Sequence, residues 1–380
     1  MAKSIYIHIP FCKTKCPYCD FASWSNKENL IDQYFDALIK EIESKCTAYS
    51  VQHEADKKKN SKIAEIKTIF IGGGTPTLVA PDYYERLCKA LKKYFHILHD
   101  AEITMECNPG TAKEDFFKGY KKIGINRISI GAQSFDENIL EILGRKHSIE
   151  ETIEAIDIVT KTGFENFSLD LIYGIPKMTM DIWEKTIHKA LSFEPKHISS
   201  YSLTIEANTP FEAIYKDKTK LPCDDEVFFM YTKLCDILES QGFNHYEISN
   251  FGKAGYESKH NLTYWNAEEY FAFGNSAHRY LNELRTSNLR GLDEYIKSPN
   301  HEIIHDFTAN KNFDKIMLTS RLKSGFEVSL LEKVSTKNKT EIKSMIQDLK
   351  SEGFIDINEG FINLTDKGMF LNYEILLKLT

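Results

Sequence analysis

Three cysteines lie close together near the start of the chain. The segment FCKTKCPYCDF places Cys12, Cys16 and Cys19 in a C-x3-C-x2-C spacing. Thiolates are soft ligands, which suit iron–sulfur clusters and zinc. Three such ligands can hold three corners of a cubane and leave its fourth iron open. A structural zinc site needs four ligands, and here His8 would have to be the fourth. The spacing therefore favours a [4Fe–4S] cluster, with zinc as the alternative.

A glycine-rich turn follows a predicted strand further along the chain. The segment TIFIGGGTPT contains Gly72, Gly73 and Gly74, followed by Thr75. Glycines there let backbone amide and carbonyl groups approach a ligand, because no Cβ stands in the way. Neither a P-loop nor a dinucleotide-binding fingerprint matches the segment. Taken singly it is a turn, and together with the cysteines it is a candidate cofactor-binding turn.

The next predicted strands end in polar residues where interior apolar residues would be expected. These are Glu106, Gln133 and Asp170, and Arg145 could pair with a carboxylate. Buried charges are costly unless they are paired, so an ordered set at one sheet edge indicates a polar ligand. Each residue singly is more simply a helix cap or a surface group.

The cysteine spacing, with an aromatic residue before the third cysteine, resembles the radical-SAM superfamily. The longer stretch Y-I-H-I-P-F-C-x3-C-x-Y-C resembles one branch, the oxygen-independent coproporphyrinogen III oxidases and their heme-chaperone relatives. The resemblance implies a [4Fe–4S] cluster, an electron donor for it, and S-adenosylmethionine bound at the open iron. The positions that it implies for S-adenosylmethionine contacts are Tyr6, Tyr18, Gly73, Gly74, Thr75, Glu106, Gln133, Arg145 and Asp170.

Two departures separate the chain from the oxidases. The oxidases carry a fourth cysteine two residues after the third, where this chain has Phe21. They also carry a long segment ahead of the cluster, whereas eleven residues precede Cys12 here. Both features match the heme chaperones instead. The open alternatives are a coproporphyrinogen III oxidase and a radical-SAM enzyme acting on another substrate.

A third feature is the hexapeptide HNLTYW, which fits the HNxxYW motif of the heme-chaperone branch. His260 could supply an axial nitrogen to heme iron, and Tyr264 and Trp265 could pack against the macrocycle. Without the resemblance, these residues would simply be structural. The resemblance implies heme as a cargo and heme-accepting proteins as partners.

The first two-thirds of the chain alternate short apolar runs with amphipathic helical patterns, which is typical of a parallel α/β sheet. Six strand–helix units are too few for an eightfold barrel, so we expect a partial (β/α)6 radical-SAM barrel. The predicted strands are 4–10, 66–74, 102–110, 127–134, 166–176 and 197–206. We also expect a polar excursion at 47–62, a helix at 224–242 and one further strand, NHYEISNFG.

The predicted domains are a barrel at 1–245, a connecting segment with HNxxYW at 246–300, and a winged-helix-like C-terminal domain at 301–380. In the last, EIKSMIQDLKSEGFIDINEGFINLTDKG predicts helix, turn, strand, glycine turn and strand. Its mixed charge favours a structural role over DNA binding.

Composition excludes several classes of protein. Lys and Arg number 48 against 55 Asp and Glu, for a net charge of −7, so no basic excess indicates nucleic-acid binding. The first residues do not form a signal peptide, and no window approaches the roughly 18 apolar residues of a membrane span. We therefore expect a cytoplasmic protein, with peripheral membrane contact left open. The scattered Cys46, Cys88, Cys107, Cys223 and Cys235 are predicted to be small core residues.

Overall fold

The computed structural model describes residues 2–52, 63–305, 311–335 and 337–380. The strands are β1 (Ser4–Ile9), β2 (Phe11–Cys12), β3 (Trp24–Ser25), β4 (Glu65–Gly73), β5 (His96–Cys107), β6 (Arg127–Gln133), β7 (Asn166–Tyr173), β8 (His197–Ser202), β9 (Asn244–Glu247), β10 (Asn250–Gly252), β11 (Phe271–Phe273), β12 (His278–Leu281), β13 (Leu284–Asn288), β14 (Glu302–His305), β15 (Phe326–Glu327), β16 (Ile355–Asn358) and β17 (Phe361–Leu364). The α-helices are α1 (Ile31–Gln52), α2 (Pro81–Tyr94), α3 (Glu114–Ile123), α4 (Glu137–Ile142), α5 (Ile149–Lys161), α6 (Met180–Leu191), α7 (Pro210–Ile214), α8 (Asp224–Ser240), α9 (Lys259–Trp265), α10 (Leu292–Lys297), α11 (Lys311–Thr319), α12 (Val328–Val334), α13 (Lys339–Ser351), α14 (Asp366–Phe370) and α15 (Asn372–Leu379).

The described residues form two compact units built from interleaved segments of the chain. Of the described residues, the first unit contains 2–52, 63–171, 204–220 and 269–305, and the second contains 172–203, 221–268, 311–335 and 337–380. The domain boundaries predicted at 245 and 300 are contiguous in sequence and stay predictions. This grouping differs from them, since β14 lies beyond residue 300 and pairs with β13 in the first unit.

A parallel sheet forms the centre of the first unit, with strand order β11–β1–β4–β5–β6–β7. Five of the six residues of β1 are buried, as expected for a strand covered on both faces. Helices α1, α2, α3 and α5 connect or follow these strands, so successive strands run in the same direction. The carboxyl ends of the strands consequently meet at one edge, where the candidate polar residues are.

A buried carboxylate ties the turn after β11 to helix α1. Glu41 is fully buried, and its Oε2 accepts hydrogen bonds from the Gly274 amide at 2.9 Å and the Tyr295 hydroxyl at 2.5 Å. Its Oε1 accepts from Lys45 Nζ at 2.8 Å and Asn288 Nδ2 at 2.7 Å. The charge is therefore compensated, and it holds the short strand β11 beside β1.

The second unit contains a small sheet of order β8–β10–β9, with both pairs antiparallel. Its C-terminal part has a separate antiparallel sheet of order β15–β17–β16. Helix α13 begins with a capping box at Asn338 and is followed by β16 and β17. The predicted succession of helix, turn, strand, glycine turn and strand is confirmed, with Gly360 at φ +86° in the second turn.

Several predicted elements need correction. Residues 244–252 form two antiparallel strands, β9 and β10, because the chain turns at Ile248 and Ser249 instead of continuing extended. Helix α1 continues to Gln52, so the first part of the polar stretch 47–62 is helical. Residues 53–62 of that stretch lie outside the described residues. Strand β5 begins at His96, six residues before its predicted start at 102. Cys223 is exposed at the start of α8 and does not belong to the core.

Candidate functional site

The three clustered cysteines lie on the loop that follows β1. Cys12 ends the short strand β2, and the Cys19 amide donates a hydrogen bond to the Cys16 carbonyl at 3.1 Å, which turns the loop back on itself. All three side chains are half-buried. Burial raises the pKa of the Cys12 and Cys19 thiols, and the negative charge of Cys16 adds to both shifts. The three sulfur donors are close enough for their charges to interact. They therefore suit a multivalent iron centre, which would favour their thiolate forms.

His8 is unsuited to be a fourth metal ligand. Its Nε2 lies 2.9 Å from the Ala22 carbonyl oxygen, which can only accept, so this nitrogen carries the proton. Its Nδ1 then accepts a hydrogen bond from the Tyr6 hydroxyl at 3.0 Å. Burial lowers the pKa of His8 to about 4, so the ring is neutral at pH 7. Both nitrogens are occupied, which removes the residue that the zinc alternative requires.

The glycine turn after β4 is joined to the cysteine loop by backbone hydrogen bonds. The Gly74 amide donates to the Ile9 carbonyl and the Thr75 amide to the Phe11 carbonyl, each at 2.7 Å. A Cβ on Gly74 would lie 2.7 Å from the Phe11 carbonyl oxygen, so no larger residue fits there. The Thr75 hydroxyl donates to Cys12 Sγ at 3.5 Å. The turn therefore helps to position the first cysteine.

Two carboxylates lie on β5 and β7. Glu106 is the next-to-last residue of β5, whereas Asp170 lies inside β7, three residues before its end at Tyr173, and does not close the strand as predicted. Glu106 Oε2 accepts a hydrogen bond from the Gly73 amide at 2.9 Å. Burial raises the pKa of Glu106 to about 7, and the charge of Asp170 contributes in the same direction. The Ser129 hydroxyl lies 2.9 and 3.0 Å from the two carboxylate oxygens of Asp170. Two acidic groups whose charges interact within one sheet form a suitable binding site for a cationic or hydroxyl-bearing ligand.

Arg145 places a positive charge beside the cysteine loop. Its Nη1 lies 3.6 Å from Cys16 Sγ and 3.5 Å from the Tyr18 hydroxyl, and Nη2 donates to the Gly131 carbonyl at 2.9 Å. Its buried Nε has no hydrogen-bond partner among the described residues, so this donor remains for a ligand. Gln133 ends β6 with φ +67°, a left-handed conformation that is uncommon outside glycine.

The first unit thus contains every residue predicted to contact the cluster or S-adenosylmethionine. The sequence analysis did not identify Ser129. It also did not identify the Ala22 carbonyl group, which fixes the tautomer of His8. Ser129 lies four residues before Gln133 on β6, and its partner Asp170 is on the neighbouring strand β7. The Ser129–Asp170 pair depends on the register of these two strands, so no local sequence motif could have indicated it.

The HNLTYW residues belong to helix α9 in the second unit. Ser258 caps the helix, and its hydroxyl accepts from the Asn261 amide at 3.4 Å. His260 is buried, and its Nε2 lies 2.8 Å from the Tyr264 hydroxyl one turn further along. Tyr264 and Trp265 are partly exposed. The aromatic face of α9 is accessible, while the His260 nitrogen is engaged by Tyr264.

A family model and a solved structure define the class of protein. Residues 6–190 match the family model described as the radical SAM superfamily. The structure of coproporphyrinogen III oxidase (HemN) from Escherichia coli superposes with a TM-score of 0.78 at 21% identity, covering 99% of this chain and 89% of that one. The fold is therefore the α/β fold of a radical-SAM protein, as predicted, and a radical-SAM protein implies a [4Fe–4S] cluster and S-adenosylmethionine.

Sequence similarity narrows the class to one family. The heme chaperone HemW of Lactococcus lactis is 34% identical, over 99% of this chain and 96% of the relative. HemW of Bacillus subtilis is also 34% identical, over 98% of each chain, and HemW of Escherichia coli is 37% identical over 76% of this chain and 75% of the relative. The chain belongs to the HemW family. Within the described residues, no helix is long and apolar enough to cross a membrane.

Proposed function

We propose that the protein binds heme and delivers it to heme-accepting proteins, and that it does so in the cytoplasm. The observation that carries this proposal is similarity to heme chaperones along nearly the whole chain, including the segment that forms α9. A coproporphyrinogen III oxidase is not favoured. Phe21, at the position of the oxidases' fourth cysteine, is exposed and offers no thiol.

Cys12, Cys16 and Cys19 hold the cluster in this proposal. When bound, the cluster and S-adenosylmethionine supply one-electron chemistry, for which a separate electron donor is required. The half-buried loop limits access of water and oxygen to the cysteines. Thr75 orients the Cys12 sulfur, and Arg145 Nη1 donates to the Cys16 sulfur.

The residues around the glycine turn bind S-adenosylmethionine in this proposal. Gly73 and Gly74 bring backbone groups close to the ligand, and Glu106 accepts from its ammonium group. The unpartnered Nε of Arg145 is a donor for its carboxylate. Asp170 and Gln133 can bind its hydroxyl and base groups, and Tyr6 and Tyr18 supply the adjoining walls. Because Glu106 has a pKa of about 7, a nearby ammonium group would favour its charged form.

Heme contacts α9 in this proposal. Tyr264 and Trp265 pack against the macrocycle, and His260 is the candidate axial ligand. Coordination through Nε2 requires the Tyr264 hydroxyl to move away, since the two atoms lie 2.8 Å apart. Heme coordination by His260 in this proposal therefore requires the motif to open.

The direct test is stoichiometric heme binding followed by transfer. We expect the purified protein to bind about one heme per chain in a titration of the Soret band. Heme should then pass to an apo-globin faster than it is lost to an albumin present at the same concentration. Absence of saturable heme binding would contradict the proposal, and so would release that is independent of the acceptor.

A further inference from the structure

A cluster of incompletely paired polar groups surrounds the last residue of α9. We define the Arg321 cluster as Glu247, Asn250, Trp265 and Arg321, all in the second unit. Glu247 Oε2, Asn250 Oδ1, Trp265 Nε1 and Arg321 Nε are buried and have no hydrogen-bond partner among the described residues. A buried polar atom without a partner destabilises the folded protein. Four of them beside one motif call for a functional explanation.

The guanidinium of Arg321 connects the cluster. Its central carbon lies 4.3 Å from the centroid of the Trp265 ring, a cation–π contact. Its Nη2 lies 4.0 Å from Glu247 Oε2, which is longer than a hydrogen bond. The other carboxylate oxygen of Glu247 accepts from Asn250 Nδ2. Arg321 is thus held against Trp265, and the ion pair that it forms among the described residues is this long contact with Glu247.

The backbone fixes Arg321 in this position. The Ile248 amide donates to the Arg321 carbonyl at 3.0 Å, and the Lys323 amide donates to the Tyr246 carbonyl at 3.1 Å. These bonds attach the segment after α11 to the end of strand β9 on both sides of Leu322, the residue next to Arg321. A cation held in place before a ligand arrives binds it with a smaller entropic cost.

The side chains of the Arg321 cluster differ in their access to solvent. Glu247 and Asn250 are 0% and 2% exposed, whereas the side chain of Arg321 is 31% exposed. Burial raises the pKa of Glu247, and the Arg321 guanidinium opposes that shift. The cluster therefore turns its acceptors inward and its cation toward the surface beside Trp265, an arrangement that suits an anionic ligand.

We propose that Arg321 binds a carboxylate of the ligand received by α9, which for heme is a propionate. The inference rests on the proposed heme-binding function and adds the group by which the cargo is anchored. Trp265 packs against the flat apolar part of the ligand while the guanidinium takes its acidic edge. The same arrangement would discriminate porphyrins that carry free carboxylates from those that lack them.

The test compares heme with heme dimethyl ester, in which both propionates are neutral. The wild-type protein should bind heme about tenfold or more tightly than the ester, since a charge-assisted hydrogen bond contributes at least that factor. Arg321→Gln should lower the affinity for heme about tenfold and leave the affinity for the ester unchanged. Arg321→Lys should give an intermediate loss, because it keeps the charge without the planar fork.

Arg86→Gln is the matched control, because it makes the same substitution and removes the same charge at a residue that lies on α2 in the first unit, where Arg86 pairs with Asp36. It should leave both affinities unchanged. Equal binding of heme and ester by the wild-type protein would contradict the proposed role of Arg321 while leaving heme binding intact. This result does not depend on how any variant folds. An equal loss of both affinities in Arg321→Gln would make Arg321 a packing residue and also overturn it. Failure of the wild type to bind either compound would reject the proposed function and the anchor together.

Discussion

At the candidate cluster site of the first unit, the pKa values of individual side chains depend on burial and on neighbouring charges. The three cysteines are half-buried, and burial raises the pKa of the Cys12 and Cys19 thiols. An iron centre that binds them must displace these protons, which makes assembly more favourable as pH rises. Cys88 offers a thiol of similar burial on α2, outside this loop.

We therefore expect Cys12→Ala, Cys16→Ala and Cys19→Ala each to abolish cluster assembly, because two thiolates do not hold a cubane. Anaerobic reconstitution of the wild type should yield about four irons and four sulfides per chain. Cys88→Ala should retain them. Stoichiometric zinc with no iron in the wild type after reconstitution would contradict the assignment, as would full iron content in any of the three loop variants.

Glu106 gives a prediction about pH. Its pKa of about 7 lies above the ordinary value of 4.5, so its charged form is disfavoured in the folded protein without ligand. The contribution of Glu106 to stability is full below about pH 4.5 and is lost as pH rises toward 7. A bound ammonium group reverses this preference, so affinity for S-adenosylmethionine should increase through the same range.

Glu106→Gln should weaken S-adenosylmethionine binding by about 1–3 kcal/mol at pH 8 and remove its dependence on pH between about 5 and 8. Calorimetric titration of the reconstituted protein measures both effects. Glu85→Gln, a change of an exposed glutamate on α2, serves as control. A variant that keeps the wild-type pH profile would show that Glu106 does not face the ammonium group.

At the scale of elements, α9 determines whether His260 can reach a ligand. The Tyr264 hydroxyl lies 2.8 Å from His260 Nε2, and the two rings meet edge to face. Opening this contact has a cost of about 1 kcal/mol, the usual net value of such a hydrogen bond. The helix must yield that contact if His260 is to coordinate iron.

Tyr264→Phe removes the competing hydroxyl and keeps the aromatic ring. If His260 coordinates heme, this variant should bind heme about fivefold more tightly, with ligand-field bands like those of the wild type. His260→Ala should shift the Soret band and lower heme affinity. A well-folded His260→Ala protein with unchanged spectrum and affinity would exclude His260 from the heme site.

The same scale shows what sequence patterns can and cannot predict. Strands β1, β4 and β6 are rich in isoleucine, and β4 and β6 end in a glycine or a polar residue, so their positions follow from hydrophobicity. Strand β11 has three residues and pairs with β1 from far along the chain, so no local pattern reveals it. The turn between β9 and β10 contains Ile248 and Ser249 without glycine or proline, which hid the break. Cysteine spacing predicted the candidate cluster ligands, whereas the Arg321 cluster depends on long-range pairing.

At the scale of the whole molecule, the candidate cluster site and α9 belong to different units, and the segments of the two units alternate along the sequence. Each unit is completed by distant segments: β11 joins the sheet of the first, and residues 311–380 join the second. Integrity of either site therefore depends on most of the chain.

The central claim is that this radical-SAM protein handles heme and does not make a porphyrin. The most direct measurement incubates the anaerobically reconstituted protein with coproporphyrinogen III, S-adenosylmethionine and a reductant, and titrates the same preparation with heme. The account predicts no protoporphyrinogen and about one bound heme per chain. Conversion of coproporphyrinogen III to protoporphyrinogen, without saturable heme binding, would contradict it.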